Sequence, residues 1–411
     1  MVKVLQISSE LNVGSIGKIS EHISNLVILE GWESYIAYGR EARESKANNF
    51  RIGQKKDILI HALSTRIFDN HGFCSTSATE ELTQRIDKID PDIIHLHHLH
   101  GYFINIRILF NYLKAKKKPI VWTFHDCWSF TGHCTHFEYV ECNKWKDHCN
   151  KCPQKKQYPS SLLLDRSMKN FTEKRNLFSD IDNLKIVSVS KWLAEQVKYS
   201  FLQNYDVRVI NNGIDLDIFQ PRNADHIRKK YGISAKYVIL GVAGNWEARK
   251  GLDDFIKLRS RLSGDFDIVL VGVNSNLMEK IGDKIIAIER TTDAYELSSL
   301  YSLANVFVNP TLEDSFPTTN LEALACGTPV ITYRTGGSVE AVDYLTGFVV
   351  EKNNVDDLVT KIKDVVASKQ NYAENCRNRA LQHYDHNKNF TQYIELYKEL
   401  LSPNYDSQIL K

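Results

Sequence analysis

The chain has 411 residues, 43% hydrophobic and 25% charged, with 52 Lys plus Arg against 50 Asp plus Glu. At ~150 residues per domain this length exceeds one small module and fits two or three domains. The formal charge of +2 excludes a uniformly basic face for gripping nucleic acid, and the ordinary apolar content excludes a low-complexity or disordered chain.

The N-terminus MVKVLQISSE enters a strand pattern directly, with no charged and then apolar leader, and no run of about 18 apolar residues follows. The expected location is the cytoplasm. A basic knot, Lys114, Lys116, Lys117 and Lys118, is the place where peripheral contact with an anionic membrane face would be sought, at ~1 kcal/mol per charge; a solvated helix end before Pro119 is the plainer reading.

Apolar β-branched runs alternate with amphipathic segments from the start: VKVLQI, then IGKISEHISNLVILEG, then SYIAYG. That is the strand, helix, strand rhythm of a parallel sheet. DIIHLHHLH follows the helical TEELTQRIDKIDP, PIVWTFHD follows a helix over 104–116, and LKIVSVS follows a long segment from Ser160 to Ser179. The turn-rich NNGID and polar QPRNADHIRKKYG after Val207 mark a hinge. From Lys236 a second alternation runs through KYVILGVAG, a helix from about Gly251, FDIVLVGV, KIIAIE, AYELSSLYSLA, VFVNP, a helix near Pro317 to Ala325, and TPVITY. Val355 to Leu401 reads as successive amphipathic helices. The expected fold is α/β, two doubly wound parallel-sheet domains with ligands at strand carboxyl ends in a cleft between them. The expected domains are 1–212, 213–387, and a segment 388–411 returning to the first domain.

Five of the eight cysteines crowd between Cys127 and Cys152. Cys134, Cys142, Cys149 and Cys152, with one CxxC pair, suit a tetrahedral structural zinc; free thiols and disulfides are the alternatives, and His133, His136 and His148 could substitute as ligands. Four cysteine ligands would leave no open position for catalysis.

Three further places could carry chemistry. The loop Asn12 to Lys18 places Gly14 and Gly17 between strand and helix, where backbone amides can meet an anion; its spacing is neither the dinucleotide fingerprint nor the Walker pattern. His125 and Asp126 follow the strand PIVWTF, where an imidazole can hydrogen-bond a sugar hydroxyl or phosphate; nearby, alternation points His95 and His97 to one face, and for most of His95, His97, His98 and His100 a packed or satisfied polar network is the plainer reading. In GNWEARKGL, Lys250, with Arg249 beside it, precedes a helix and can neutralise a diphosphate. Seven residues separate Asp314 from Glu322, carboxylates suited to vicinal hydroxyls, and SFPTTN between them can offer amides to phosphates.

These motifs resemble the retaining glycosyltransferases of family four, with the GT-B fold. The resemblance rests on KGL near 250, LYSLANVFVNPT, the paired acids at 314 and 322, LEALACGTPVI, TGGSVEAV, VSVSKWLAEQV, NNGIDLDIFQP and GSIGK, and covers nearly the whole chain. It implies a nucleotide diphosphate sugar as donor, with Glu322 on the ribose, Asp314 on the sugar hydroxyls, Lys250 and the Gly14 to Gly17 loop on the β-phosphate, His125 at the transferred sugar and Asp126 orienting nearby groups. Asn245, Arg249, Ser315, Phe316 and Pro317 complete the implied donor site, and His125, Asp314 and Lys250 carry the implied catalysis. Asp314 stands where the family usually has glutamate and Asn245 where it usually has arginine, so Arg249 would have to swing in as the second cation. The HDCWSFTGHC stretch and the cysteine-rich insertion at 127–152 resemble enzymes of polysaccharide, O-antigen or exopolysaccharide assembly, implying a glycan or polyprenyl-linked glycan acceptor.

No DxD element stands at a strand end, so no catalytic metal is expected at the diphosphate; Lys250 and the helix dipole can supply the charge. The alternatives are a non-catalytic nucleotide-sugar binding partner, a nucleotide-sugar epimerase of the same architecture, and a phosphorylase, which would need a cofactor or phosphate pocket that no motif supplies.

Overall fold

The computed structural model describes residues 1–402. Its chain divides into two units, one of residues 1–211 with the segment from Asn389 onward, the other of residues 212–388. The expected terminal segment 388–411 thus lies partly outside the described residues.

In the first unit, β1 (Lys3–Ser8), β2 (Glu33–Tyr38), β3 (Asn48–Arg51), β4 (Ile93–Leu96), β5 (Ile120–Phe124), β6 (Leu184–Ser188) and β7 (Val207–Val209) form one sheet in the order β3-β2-β1-β4-β5-β6-β7. Every pairing is parallel. IIHL of β4 and IVWTF of β5 are buried along their whole length, as strands covered on both faces must be. In the second unit β8 (Tyr237–Val242), β9 (Phe266–Val271), β10 (Ile286–Ile288), β11 (Val306–Asn309), β12 (Val330–Tyr333) and β13 (Gly347–Val350) run parallel in the order β10-β9-β8-β11-β12-β13. Strand order reverses between β1 and β4, and again between β8 and β11. Chain leaving these strands diverges to opposite faces, opening the crevice where doubly wound sheets hold ligands.

Several helices begin where a side chain replaces the missing backbone acceptor. Asn105 Oδ1 accepts from the amides of Arg107 at 3.1 Å and Ile108 at 3.4 Å, starting the helix Ile106–Lys116. The long segment from Ser160 to Ser179 holds a helix over Ser167–Phe178. Before it, the chain lies along the helix Lys55–Phe68, with Leu162 N donating to Arg66 O at 2.7 Å. The basic knot is largely engaged: Lys116 pairs with Asp87 at 2.7 Å, Lys118 with Asp90 at 2.9 Å, and Lys114 Nζ donates to the carbonyls of Asn176 and Ser179. Three of its four lysines thus meet protein groups, and Lys117 is exposed.

The last helix, His386–Leu401, contributes Phe390, Tyr393, Ile394, Leu396, Tyr397 and Leu400 to the core of the first unit, against Val4, Ile23, Ile93 and Val121. Among the described residues, no helix is long and apolar enough to cross a membrane.

Candidate functional site

In the second unit, the chain leaving β8 turns through a short 3-10 segment, Ala248–Lys250, into the helix Leu252–Arg261. Gly251 holds φ +77°, and a Cβ there would stand 2.3 Å from Pro310 O, so glycine alone lets this turn pass the end of β11. The turn delivers Lys250, whose Nζ donates to Asp314 Oδ2 at 2.6 Å. Asp314 sits in the loop after β11, with Oδ1 accepting from Phe316 N at 3.2 Å and its carbonyl from Gly337 N at 3.2 Å. Two sequence candidates 64 residues apart therefore meet at the switch point of this sheet.

Pro317 then opens the helix Thr318–Ala325, whose first turn has no capping side chain and no acid. Its free amides and positive dipole end are suited to an anion. Half-buried Glu322, on the same helix, accepts from Tyr301 OH at 2.9 Å. Ser315 is buried with its Oγ lacking a hydrogen-bond partner, and the buried Phe316 ring lies 6.2 Å from that of Tyr384. Asn245 and Arg249 do not join this group. Asn245 is exposed and leans on Glu247 at 3.4 Å, and Arg249 Nε donates to the same carboxylate at 2.9 Å. The cation expected to swing inward is instead neutralised by a glutamate two residues away.

In the first unit, the helix after β1 starts at Gly14, so Gly17 lies in its first turn and not in the preceding loop. Asn12, at φ +52°, folds the loop back so that its amide donates to Gly17 O at 3.2 Å. A Cβ on Gly17 would lie 3.1 Å from Asn12 N and 3.3 Å from the Glu10 backbone, so this glycine serves loop packing. Gly14 is exposed at a helix start without a side-chain cap, which leaves amides open. Glu10, which no motif singled out, stands beside it and pairs with Arg40 at 3.8 Å; burial raises its carboxyl above the ordinary range.

Past β5, a chain of hydrogen bonds fixes the tautomer of His125. Gln6 Nε2 donates to Ser20 O at 2.9 Å, which turns Gln6 Oε1 toward His97 Nε2, also at 2.9 Å. Oε1 only accepts, so His97 Nε2 carries the proton. Burial, and then its imidazole neighbours, hold the His97 pKa well below its ordinary value, so the ring is neutral and its Nδ1 accepts from His125 Nε2 at 3.2 Å. His125, buried and likewise neutral, is left with an unprotonated Nδ1 that has no hydrogen-bond partner. A buried imidazole lone pair is thus available to a hydroxyl donor. Beside it Asp126 accepts from Trp128 N on Oδ1 at 2.9 Å and pairs with His100 Nε2 on Oδ2 at 2.7 Å, while His98 Nε2 stands 3.3 Å from Oδ2 without a hydrogen bond. Burial opposes its charge, but these imidazoles hold the carboxyl well below the usual range. His98, His100 and Asp126 are the one group of three potential metal ligands whose donor atoms lie within 4.8 Å among the described residues. His95 bridges Tyr397 OH at 2.6 Å and Thr123 Oγ1 at 2.8 Å, a satisfied polar contact.

The cysteine-rich insertion is pinned by buried polar contacts. Lys174 Nζ lies 3.4 Å from the Trp128 ring centroid and donates to the carbonyls of Trp128 and Thr131 at 2.7 and 3.1 Å; burial lowers its pKa to about 7. His133 Nδ1 meets Asp69 at 2.7 Å. Cys134, Cys142, Cys149 and Cys152 are free thiols, with Cys134 hydrogen-bonded to Cys152 and Cys149 Sγ accepting from Gly132 N at 3.2 Å. No three of their sulfurs come together within the 4.8 Å that joins the histidine group.

Comparison with known proteins gives both units relatives. Residues 30–218 match the model of Glycosyltransferase Family 4, and residues 223–383 match that of Glycosyl transferases group 1. WcaC of Escherichia coli K12, named as a colanic acid biosynthesis glycosyl transferase, is 26% identical over 392 residues, covering 89% of this chain and 91% of that protein. Among solved structures, sucrose-phosphate synthase of Thermosynechococcus elongatus superposes with a TM-score of 0.71 at 16% identity, covering 97% of this chain and 99% of that one. Anabaena Alr3699/HepE in complex with UDP and glucose gives 0.68 at 14% identity, covering 97% and 100%. With two parallel α/β sheets of matching architecture and family models spanning both, this chain belongs to the family-four glycosyltransferases of the GT-B fold.

Proposed function

We propose that the chain transfers a glycosyl unit from a nucleoside diphosphate sugar, with retention of anomeric configuration, to a hydroxyl of a glycan or polyprenyl-linked glycan in cell-surface polysaccharide assembly. The observation that carries this reading is the Lys250–Asp314 pair at the end of β11, beside an uncapped helix start that also bears Glu322. WcaC, whose name places it in colanic acid synthesis, supports the acceptor class, and the HepE complex with UDP and glucose supports the donor class.

In this reading residues 1–212 serve the acceptor, 213–387 the donor, on the cytoplasmic face of the membrane. Lys250 neutralises the diphosphate together with amides of the helix start at Thr318, Glu322 takes the ribose, and Asp314 takes sugar hydroxyls. Positioned charge and N–H groups stabilise the departing diphosphate without a metal at that position. Neutral His125 accepts a hydrogen bond from a sugar hydroxyl on Nδ1. The acceptor hydroxyl attacks on the face the diphosphate leaves, and a phosphate oxygen takes its proton. The four cysteines of the insertion are proposed as a structural zinc site, tested by metal analysis of the purified protein with and without chelator.

A thermal-shift panel of UDP, GDP, dTDP and CMP sugars tests the donor assignment, since ligand at 100 times its dissociation constant stabilises by ~2.7 kcal/mol. The expected result is a selective shift with one nucleoside diphosphate class, followed by α-to-α or β-to-β product anomers by NMR; inverted product would overturn retention. A second reading, donor binding without turnover, draws on Arg249 being tied to Glu247 while Asn245 brings no cation. A normal shift with no transfer to any acceptor would favour it.

A further inference from the structure

Most amphipathic helices of this chain turn apolar side chains inward, but the helix Lys55–Phe68 is reversed. His61 and Thr65 are its buried residues, while Leu59, Ile60 and Leu63 are 70%, 64% and 59% exposed. At 100° per residue these three leucine-type positions, with Lys55, Lys56 and Arg66, fall within one arc of about 140°. The segment Leu162 to Leu164, held against the end of this helix by Leu162 N to Arg66 O at 2.7 Å and Leu164 N to Ile67 O at 3.2 Å, adds three leucines 59%, 68% and 46% exposed. Scattered apolar residues on a surface are ordinary; a contiguous set on two joined segments marks a surface that meets something.

The charges say what it meets. Lys55, Lys56 and Arg66 are exposed on the same arc, and Lys155, donating to Leu163 O at 3.1 Å, brings a further ammonium to the leucine segment. The neighbouring acids accept from backbone amides: half-buried Asp57 takes Gln54 N at 2.7 Å, and Asp165, though exposed, takes the amides of Cys152 and Ser167 at 2.7 and 2.9 Å. An apolar centre with cationic flanks is the pattern of a helix lying in a membrane interface, where leucines enter the acyl boundary and lysines meet anionic headgroups. A second copy of this chain would bring the same cations face to face, so self-association is opposed by charge.

We propose that the helix Lys55–Phe68 and the segment Leu162 to Leu164 form a docking surface for an anionic lipid bilayer. This surface is distinct from the Lys114 to Lys118 knot, whose charges are largely met by protein groups. It would hold the first unit at the plane where a lipid-linked glycan is presented, but its test needs neither donor nor acceptor.

The test is co-sedimentation of the full chain with phosphatidylcholine vesicles with and without about 30% phosphatidylglycerol. The expected result is binding to the anionic vesicles, weakened by salt, and weakened at least about tenfold in the pair Leu59→Asp with Leu63→Asp and in Leu163→Asp. Circular dichroism and donor-induced thermal shift should be unchanged in these variants, because the altered side chains are exposed. Lys116→Ala with Lys118→Ala should bind as the unaltered chain does. Failure of the unaltered chain to bind anionic vesicles, or undiminished binding by both leucine variants, overturns the proposal. So does a dimer in solution that Leu63→Asp dissociates, which would make the patch a self-association surface.

Discussion

The two sheets present different chemistry. Lys250 and Asp314 are each about one-fifth exposed as a pair, so their ion pair contributes at most ~1 kcal/mol to folding. Their value lies in charge held where a diphosphate would develop it. Lys250→Ala should therefore lower kcat/KM by about 10²-fold or more, the effect of removing one preorganised donor, with little change in melting temperature; wild-type kinetics in that variant would remove Lys250 from the site. His125 offers a finer test, because its acceptor nitrogen is set by His97 and Gln6. His97→Leu should free Nε2, let both tautomers populate, and lower kcat while shifting the ¹⁵N resonances of His125. His97→Asn keeps a carbonyl acceptor for Nε2–H and should retain more activity than His97→Leu. Equal loss in the two variants would show that His97 matters only for packing.

The end of β4 and the turn after β5 gather buried His95, His97 and His125 beside half-buried His98, with buried His71 near. Burial first, and neighbouring imidazoles second, push all five well below the ordinary histidine value. The unfolded chain protonates these rings below about pH 6.5 and the folded chain does not, so the unfolded state binds more protons there and stability falls as pH drops. Above that pH both states are neutral and the dependence vanishes. The slope can reach ~1.4 kcal/mol per ring per pH unit. Urea midpoints at about pH 7.5 and about pH 5.5 should differ steeply; a flat profile would mean the rings are charged in the fold. The alternating runs of β1, β4, β5, β8 and β11 were legible because buried parallel strands must be apolar throughout. β3, with the sequence NNFR, was not legible, because an edge strand needs no apolar run. The carboxylates at 314 and 322 stood out by spacing. Glu10, Tyr301 and Gln6 did not, because their roles arise from strands and helices that only the fold brings beside them. The pairing of Arg249 with Glu247 was equally invisible, since rotamer choice between two nearby carboxylates is not written in motif spacing.

The stability of the first unit turns on the last helix. From Asn389 on it belongs to the first unit, and Phe390, Tyr393, Ile394, Leu396, Tyr397 and Leu400 are all at most 4% exposed in its core. Tyr397 OH closes His95 Nδ1 at 2.6 Å and Tyr393 OH accepts from Thr123 Oγ1 at 3.2 Å, so the helix also completes the polar layer beneath the histidines. At ~1.5–3 kcal/mol per large side chain, six such residues amount to roughly 9–18 kcal/mol, and a domain has only 5–15 kcal/mol of net stability. The first sheet should therefore not survive without them. Truncation after Asn387 should abolish the cooperative transition of the first unit and expose apolar surface to dye. Residues 212–388 form their own sheet and core, so donor binding that depends on that unit alone should outlast the loss. A truncated chain that melts at the wild-type temperature would mean that β1, β4 and β5 cover their own faces without the returning helix, contrary to the packing of Val4, Ile93 and Val121 against it.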